Sequence, residues 1–313
     1  MPPESRHPKD PARSGCRRAH GHDYSSVCKY MITINKNPEV PPFSTVEGDL
    51  GGGIQPYCRY TPAGMAVNRV LSHITREFPQ CSIDRRLLMP DHIHFIISVN
   101  EYLHGFTLSK IINMFMGRCT AELMAEGLIA AGVSTYTRGF NDKILLHAGQ
   151  LRNWANYILD NPRRYLIKRK CREYFSRRQI LDIDGVQRTI YGNFMLLREP
   201  LKVPGIVSSR YTPQERLQHE HAWAECMRTR GVMVSPFISR PEKELYRRAI
   251  DSGCSLILIV KEGLPERYKP YGEQFELCSL GRLLIVAAPE YDAERKALSR
   301  CECMDMNRLA RHI

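Results

Sequence analysis

Two histidines interrupt an aliphatic stretch of the sequence, LLMPDHIHFIISV from Leu87 to Val99. The stretch is typical of a β-strand, in which side chains alternate between faces, so His92 and His94 share one face while Ile93 faces the other. Two imidazoles on one face suit a metal site if a third ligand arrives from elsewhere in the fold. The alternative is a histidine pair on a solvated sheet face, because a lone His-x-His is a weak motif.

A tyrosine and an asparagine occur four residues apart in YILDNPRR, at the predicted end of a helix. Tyr157 and Asn161 are therefore one turn apart on the same helix face. A phenol with a pKa of about 10 is a poor nucleophile at neutral pH, but a metal that polarises the attacked phosphate makes it useful. The Asn161 amide oxygen is then a candidate third ligand beside the histidines. Taken singly, Tyr157 could instead be a core aromatic and Asn161 only a helix N-cap.

The elements that must position these side chains are predicted from periodicity and cap residues. Lys29 to Lys36 predicts the first strand, and a loop rich in Pro and Gly follows it. Thr61 to Phe78 predicts a helix that begins at Thr61-Pro62. Two strand segments divided at Pro90 come next, and then a helix from Thr107 that is capped at Gly127.

The segment GQLRNWANYILDNPRRYLIKRKCREYFSRR predicts two helices that meet at Asn161-Pro162, because Asn is a favoured N-cap and Pro a favoured first helical residue. The second helix is crowded with cations and interleaved aromatics, a combination that suits phosphate contacts and base stacking. A charge run can also be only a solvated helix face. We predict that six of the cations bind DNA: Arg163, Arg164, Lys168, Arg169, Lys170 and Arg172.

Beyond Tyr191, short apolar runs alternate with polar helical patterns, which implies a parallel sheet covered on both faces. The sequence thus predicts a disordered basic lead-in over 1–24, a first domain over 25–190 and a smaller α/β domain over 191–313. No G-x-G-x-x-G occurs, so no dinucleotide cofactor is predicted. Ser208 to Arg210, at a predicted helix start, is a candidate phosphate site.

Composition indicates an anionic partner, since the net charge is +12 over 313 residues. Residues 1–190 hold 26 Lys and Arg against 17 Asp and Glu, so a nucleic-acid surface is expected mainly there. No stretch approaches the roughly 18 apolar residues of a membrane span, and the amino terminus lacks the apolar core of a signal peptide. With eleven cysteines and no C-x-x-C, we expect a cytoplasmic protein with reduced thiols and no membrane partner.

Together these residues resemble the single-tyrosine HUH transposases, of the insertion sequence 200-like or REP-associated tyrosine transposase family. MPDHIHFIISV is similar to their "MPNHVHLLV" strand, YILDNPRR to their Tyr-x-x-x-Asn-Pro signature, and HDYSSVCKYMITIN to their first strand. The resemblance implies an α+β ferredoxin-like fold, an antiparallel sheet with helices. It also implies that His92, His94 and Asn161 bind Mg²⁺ or Mn²⁺ and that Tyr157 is the nucleophile. Asp91 departs from the many relatives that have Asn there.

The implied activity is that of a transposase or endonuclease that cleaves and rejoins single-stranded DNA, including strands that form hairpins. Transesterification would proceed through a 5′-phosphotyrosine intermediate and leave a free 3′-hydroxyl. Two alternatives stay open: an HUH replication initiator or relaxase, and a catalytically silent nucleic-acid-binding regulator derived from a transposase. Monomer and homodimer also both stay open.

The second domain resembles the Rossmann-like domain of DNA-processing protein A. The similar segments are GIVSSRYTPQE, TRGVMVSPFISRPEKELYRRAIDSG and LILIVKEG. Ser208 stands where that family usually has Gly in its first strand-to-helix turn, so an unchanged phosphate-binding loop is not expected.

Overall fold

The computed structural model describes residues 18–313 except 52, 182–184, 293 and 295–296. The chain divides into two compact units, Met1–Ile167 (unit 1) and Lys168–Ile313 (unit 2). This division comes earlier than the predicted boundary near residue 190. The reason is that the strands Arg177–Leu181 and Gln187–Gly192 pair with each other. The second of these strands also pairs with the main sheet of unit 2.

Unit 1 contains a four-stranded sheet, a separate hairpin and three helices. In chain order they are β1 (Cys28–Asn35), β2 (Ser44–Glu47), β3 (Tyr57–Tyr60), α1 (Pro62–Glu77), β4 (Cys81–Leu88), β5 (His92–Val99), α2 (Leu108–Ala125), β6 (Asn141–Leu145) and α3 (Gln150–Lys170), which continues into unit 2. The sheet order is β4-β5-β1-β6, and all neighbouring strands are antiparallel. The predicted antiparallel sheet with helices is therefore confirmed. The hairpin of β2 and β3 begins inside the segment that was predicted to be a loop.

Helix α1 begins where the sequence predicts, because the Thr61 hydroxyl accepts a hydrogen bond from the Gly64 N–H. The first turn of α1 lies so close to the backbone of Phe43 that a Cβ at Gly64 would be 1.8 Å from the Phe43 carbonyl oxygen. The Phe43 N–H in turn donates to the Pro90 carbonyl at 3.2 Å. This contact ties the helix start to the turn that precedes His92.

Strand β5 is buried on both faces. Ile93 and Phe95 lie in the main core beneath α1 and α2, whereas Ile96 packs with Met31 and with Ile158 of α3 on the other side. Helix α3 thus covers the sheet face to which the even-numbered residues of β5 belong. The aliphatic character of the strand follows from these two layers, and the histidines belong to the α3 side.

Helix α3 runs without a break through Pro162, so the prediction of two helices that meet at Asn161-Pro162 is wrong. Proline cannot donate a backbone N–H to the carbonyl one turn earlier and normally disfavours a helix interior. Here the helix is held by packing, since Ile158, Asn161, Pro162 and Ile167 are all buried. The cationic segment therefore occupies the last turns of α3, a 3₁₀ helix (Arg172–Phe175) and the strand that follows.

Unit 2 is organised around a six-stranded sheet. Its elements are β7 (Arg177–Leu181), β8 (Gln187–Gly192), a 3₁₀ helix (Phe194–Arg198), β9 (Lys202–Pro204), α4 (Pro213–Thr229), β10 (Val232–Ser235), α5 (Arg240–Ser252), β11 (Ser255–Val260), α6 (Gly272–Ser279), β12 (Leu283–Ala287) and α7 (Arg300–His312). The order is β7-β8-β12-β11-β10-β9, with β9 to β12 parallel and the β7-β8 hairpin antiparallel. Alternate residues of β12 enter two different apolar clusters, so both faces are covered, as predicted.

Residues 1–17 of the predicted lead-in lie outside the described residues. The following residues pack on unit 1, where the Arg18 guanidinium pairs with Asp142 and lies 3.4 Å above the Phe140 ring. The Tyr24 hydroxyl donates to the same carboxylate at 2.8 Å. The packed chain thus begins before the predicted domain start at residue 25. In the described part of the chain, no helix is long and apolar enough to span a bilayer.

Candidate active site

The two predicted histidines converge on one point. The Nε2 atoms of His92 and His94 lie 3.0 Å apart, on the face of β5 that α3 covers. His94 is buried, with 6% of its surface exposed, and His92 is partly exposed. The pair therefore forms a polar end to an otherwise apolar layer, and the alternative of a solvated sheet face does not describe it.

The opposite ring nitrogens are fixed by hydrogen-bond partners. His92 Nδ1 lies 2.7 Å from Asp91 Oδ1, and His94 Nδ1 lies 2.9 Å from the hydroxyl of Thr33, its cross-strand neighbour on β1. The hydrogen bond from His92 lowers the pKa of the Asp91 carboxyl. Because a carboxylate can only accept, the proton of a neutral His92 resides on Nδ1 and its Nε2 presents a lone pair.

The histidine pair fits a divalent cation. Two adjacent octahedral ligands at about 2.1 Å from a metal would be about 3.0 Å apart, which matches the observed separation of the Nε2 atoms. Hydrogen-bonded outer partners of the kind supplied by Asp91 and Thr33 are typical of histidines that bind metals. Among the described residues, no group of three or more His, Cys, Asp and Glu side chains could hold a metal. The cation would therefore rely on two imidazoles and on ligands of another type.

Tyr157 lies beside the histidines, with its ring centroid 5.9 Å from that of His94. The ring also contacts Trp154 edge-on at 5.4 Å and lies 5.5 Å from the Arg164 guanidinium. With 37% of its surface exposed, Tyr157 is not a core aromatic, and its side chain is accessible to solvent. The structure thus places Tyr157 beside the two imidazoles, and its role as the nucleophile stays a prediction.

Asn161 lies one turn after Tyr157 and is buried, with 8% exposed. It is not an N-cap, because α3 continues through it. Its Nδ2 donates to the Tyr157 carbonyl at 2.9 Å, so the amide oxygen is the atom left for another partner. The role of Asn161 as a third metal ligand stays a prediction.

The six predicted DNA-binding cations differ in their surroundings. Arg163 makes a two-point ion pair with Asp160 at 2.6 and 3.1 Å, while Arg164 and Lys168 are half-buried. Arg169, Lys170 and Arg172 are exposed. These last three are therefore the cations best exposed to a phosphate backbone.

The sequence did not indicate Thr33 or Trp154 as part of the site. Thr33 reaches His94 only through the register of β1 and β5, and no local pattern encodes such a long-range pairing. Trp154 could have been inferred from its place three residues before Tyr157 on one helix face. The Lys143 ammonium of β6 lies 5.7 Å from its ring centroid.

The phosphate site at Ser208 to Arg210 in unit 2 stays a prediction, and its surroundings contain acidic side chains. Helix α4 is capped by its own residues, since the Glu215 carboxylate accepts the Thr212 N–H at 2.7 Å. The buried Glu242 carboxylate accepts backbone N–H groups from both neighbouring loops: Val207, Ile238 and Ser239. Around this loop, the carboxylates of Glu215 and Glu242 therefore accept backbone N–H groups that would otherwise be open to an anion.

Comparisons with known proteins give distant structural similarities. No protein-family model matches this chain, and none of the curated proteins matches it. One similar solved structure is a REP-associated tyrosine transposase bound to a REP hairpin, with 15% identity, a TM-score of 0.32, and coverage of 47% of this chain and 74% of that one. Another is a candidate transposase from Deinococcus radiodurans R1, with 10% identity, a TM-score of 0.28, and coverage of 46% and 98%. Because both similarities are distant, the functional proposal depends on the site geometry and the sequence motifs.

Proposed function

We propose that unit 1 is a metal-dependent DNA transposase or endonuclease of the single-tyrosine HUH type. It would cleave and rejoin single-stranded DNA by transesterification through a 5′-phosphotyrosine intermediate. One observation supports the proposal most strongly. The Nε2 atoms of His92 and His94 lie 3.0 Å apart, and the ring centroid of the exposed Tyr157 lies 5.9 Å from that of His94. The antiparallel order β4-β5-β1-β6 supports the ferredoxin-like assignment for this unit.

The chemistry assigns a separate task to each side chain. Mg²⁺ or Mn²⁺ held by His92 and His94 would polarise a phosphate oxygen and stabilise the charge that develops on it. The Tyr157 hydroxyl loses its proton to water as its oxygen forms a bond to phosphorus. The bond from phosphorus to the 3′ oxygen breaks, and that oxygen takes up a proton. The 5′ phosphate then remains on the tyrosine until a 3′-hydroxyl attacks it in the reverse step.

A catalytically silent DNA-binding regulator is the second candidate, because surface cations would serve it equally well. The arrangement of Asp91 and Thr33 favours the enzyme, since both partners orient a histidine and neither is needed for binding a strand. For unit 2, the parallel strands β9 to β12 support a Rossmann-like assignment, which stays a proposal.

The polarity of the covalent product tests the proposed function. The chain is incubated with Mn²⁺ and with single-stranded DNA from the flanks of its own gene, labelled at either the 5′ or the 3′ end. We expect the 3′-labelled strand alone to migrate with the protein in a denaturing gel, because Tyr157 retains the 5′ phosphate of the downstream fragment. DNA that binds without any Mn²⁺-dependent covalent product would favour the silent regulator.

A further inference from the structure

Unit 2 contains a cleft that the proposed chemistry does not use. Its volume is about 510 Å³, within the range of small-molecule sites. Six residues line it: Arg177, Arg178, Gln179, Leu264, Glu266 and Tyr291. Three of the side chains are hydrogen-bond donors on the edge strand β7, and the others come from loops that follow β11 and β12.

The cleft lies where α/β sheets usually bind ligands, beyond the carboxyl ends of parallel strands. Gln179 pairs with Thr189, and Thr189 pairs with Ala287, the last residue of β12. Tyr291 follows Ala287 by four residues, and Leu264 follows the end of β11 by the same number. The loops after two parallel strands and the edge strand therefore meet at the cleft.

Its polar groups are available to a ligand. The Arg178 guanidinium stacks 3.8 Å from the centroid of the Phe194 ring, and within the described part of the chain it makes no hydrogen bond or ion pair. A guanidinium stacked on an aromatic ring is ordered, yet its in-plane donors can still meet an anion. Arg177 uses one N–H on the Pro265 carbonyl at 3.1 Å and has others left. Tyr291 is half-exposed, with 50% of its surface accessible.

These groups match the parts of a nucleotide. The two guanidinium groups suit a phosphate, the exposed ring of Tyr291 suits stacking on a base, and Glu266 can accept from a base amino group. Leu264 supplies an apolar wall. Unit 2 also carries more of the net positive charge than unit 1. Unit 2 has 26 Lys and Arg against 19 Asp and Glu, whereas unit 1 has 19 Lys and Arg against 14 Asp and Glu.

We propose that this cleft binds a nucleotide, with its phosphate on Arg177 and Arg178 and its base on Tyr291. The nucleotide is either a free monophosphate or one residue of a single strand. This proposal does not depend on the chemistry proposed for Tyr157.

Photocrosslinking to the full-length chain in EDTA tests the proposal, because no divalent metal is then present for cleavage. The probes are 5-iododeoxyuridine monophosphate and an oligothymidylate with one 5-iododeoxyuridine. We expect mass spectrometry to locate an adduct on Tyr291. An adduct from the free monophosphate identifies a nucleotide site, and one from the oligonucleotide alone identifies a strand site.

Variants separate the cleft from other cationic surfaces. Arg178→Ala should weaken binding of the probe that crosslinks by on the order of tenfold, as expected for loss of a charge-assisted hydrogen bond. Tyr291→Ala should remove the adduct, while Arg216→Ala, an exposed cation on α4, should change neither. The proposal is overturned if neither probe labels Tyr291, or if Arg178→Ala and Arg216→Ala bind the probe alike. A failed cleavage assay at Tyr157 would leave these results unaffected.

Discussion

At the scale of single residues, the site depends on partners that orient the histidine rings. Asp91 and Thr33 each engage the Nδ1 atom of one histidine, so that both Nε2 atoms meet on the side of α3. Outer partners of this kind typically change metal affinity by 10- to 100-fold. In the proposed function, Asp91 and Thr33 are therefore positioning residues for the metal that His92 and His94 would hold.

Substitution of Asp91 tests this role. Asp91→Ala should weaken Mn²⁺ binding about 10- to 100-fold, because His92 loses the acceptor that fixes its Nδ1 proton. Asp91→Asn should retain most of the affinity, since an amide oxygen can accept the same hydrogen bond. Isothermal titration with Mn²⁺ measures both. Equal affinities for Asp91→Ala and the unmodified chain would show that the contact does not orient His92.

The histidines themselves have a matched control in unit 2. His92→Ala or His94→Ala should abolish cleavage and weaken Mn²⁺ binding. His219→Ala should do neither, because His219 lies on helix α4 and its ring stacks between the rings of Tyr211 and Trp223. This ring is half-buried. Similar losses from all three variants would contradict a site defined by strand geometry.

The residues that we predict to do chemistry stand out in the sequence because their signals are local. A strand alternates its side chains and a helix repeats every turn, so His92 with His94, and Tyr157 with Asn161, follow from spacing alone. Their proximity to each other was supplied by the family resemblance. Thr33 was not recoverable, because its contact depends on the pairing of two strands distant in sequence.

At the scale of elements, the position of the turn before His92 depends on one glycine. A Cβ at Gly64 would overlap the Phe43 carbonyl oxygen, and the segment around Phe43 contacts the turn before His92. Gly64→Ala should lower the free energy of unfolding by about 1 to 3 kcal/mol, the usual cost of overpacking. Gly117→Ala in α2 is the control, since nothing lies within 4 Å of its Cβ and alanine should stabilise the helix by about 1 kcal/mol.

Urea unfolding of both glycine variants measures the difference. The opposite signs make the pair informative, because a general effect of alanine on helices would stabilise both. Stabilisation by Gly64→Ala would mean that the close approach to Phe43 does not constrain the structure.

Helix α7 has a carboxyl that should titrate at unusually low pH. A hydrogen bond from Lys261, together with the Ser299 cap, lowers the pKa of Glu302 from 4.5 to about 2. Because the folded pKa lies below the unfolded one, this contribution to stability is complete above about pH 4.5. It should fall as the pH drops toward 2. Lys261→Gln should move the pKa of Glu302 upward in an NMR titration, and an unchanged value would contradict the assignment.

In helix α3, the cap residues of the sequence predict a helix boundary that the structure does not have. Asn161-Pro162 is a favoured helix start, yet both residues are buried inside a continuous helix. The helix packs on the sheet through Ile158, and this tertiary burial outweighs the local penalty of proline. Cap signals at Thr61 and Thr107 were reliable because each side chain does accept a backbone N–H.

At the scale of the whole molecule, the charge belongs to both units. With the boundary at Ile167, the net charge is +5 for unit 1 and +7 for unit 2. The sequence places most of the excess positive charge in the first domain only when the domain boundary is set near residue 190, as predicted. The cations of the β7-β8 region and the end of α3 belong to unit 2.

The exposed cations Arg169, Lys170 and Arg172 should contribute to the salt dependence of DNA binding. Each phosphate contact on a single strand contributes about −0.7 to the slope of log affinity against log salt. Replacing all three with Ala should therefore flatten the slope by up to about 2. Replacing three exposed cations elsewhere in unit 2, Arg216, Lys243 and Arg248, should leave it unchanged. Fluorescence anisotropy over a salt series measures both slopes, and equal slopes would remove these cations from the DNA surface.

The proposed reaction requires that the Tyr157 oxygen forms the covalent bond to DNA. The most direct test is mass spectrometry of the protein–DNA adduct after digestion, compared between the unmodified chain and Tyr157→Phe, with Tyr165→Phe as the control. We expect a nucleotide on the Tyr157 peptide, an unchanged adduct in Tyr165→Phe, and none in Tyr157→Phe although that variant still binds DNA. A denaturant-resistant adduct formed by Tyr157→Phe would contradict it.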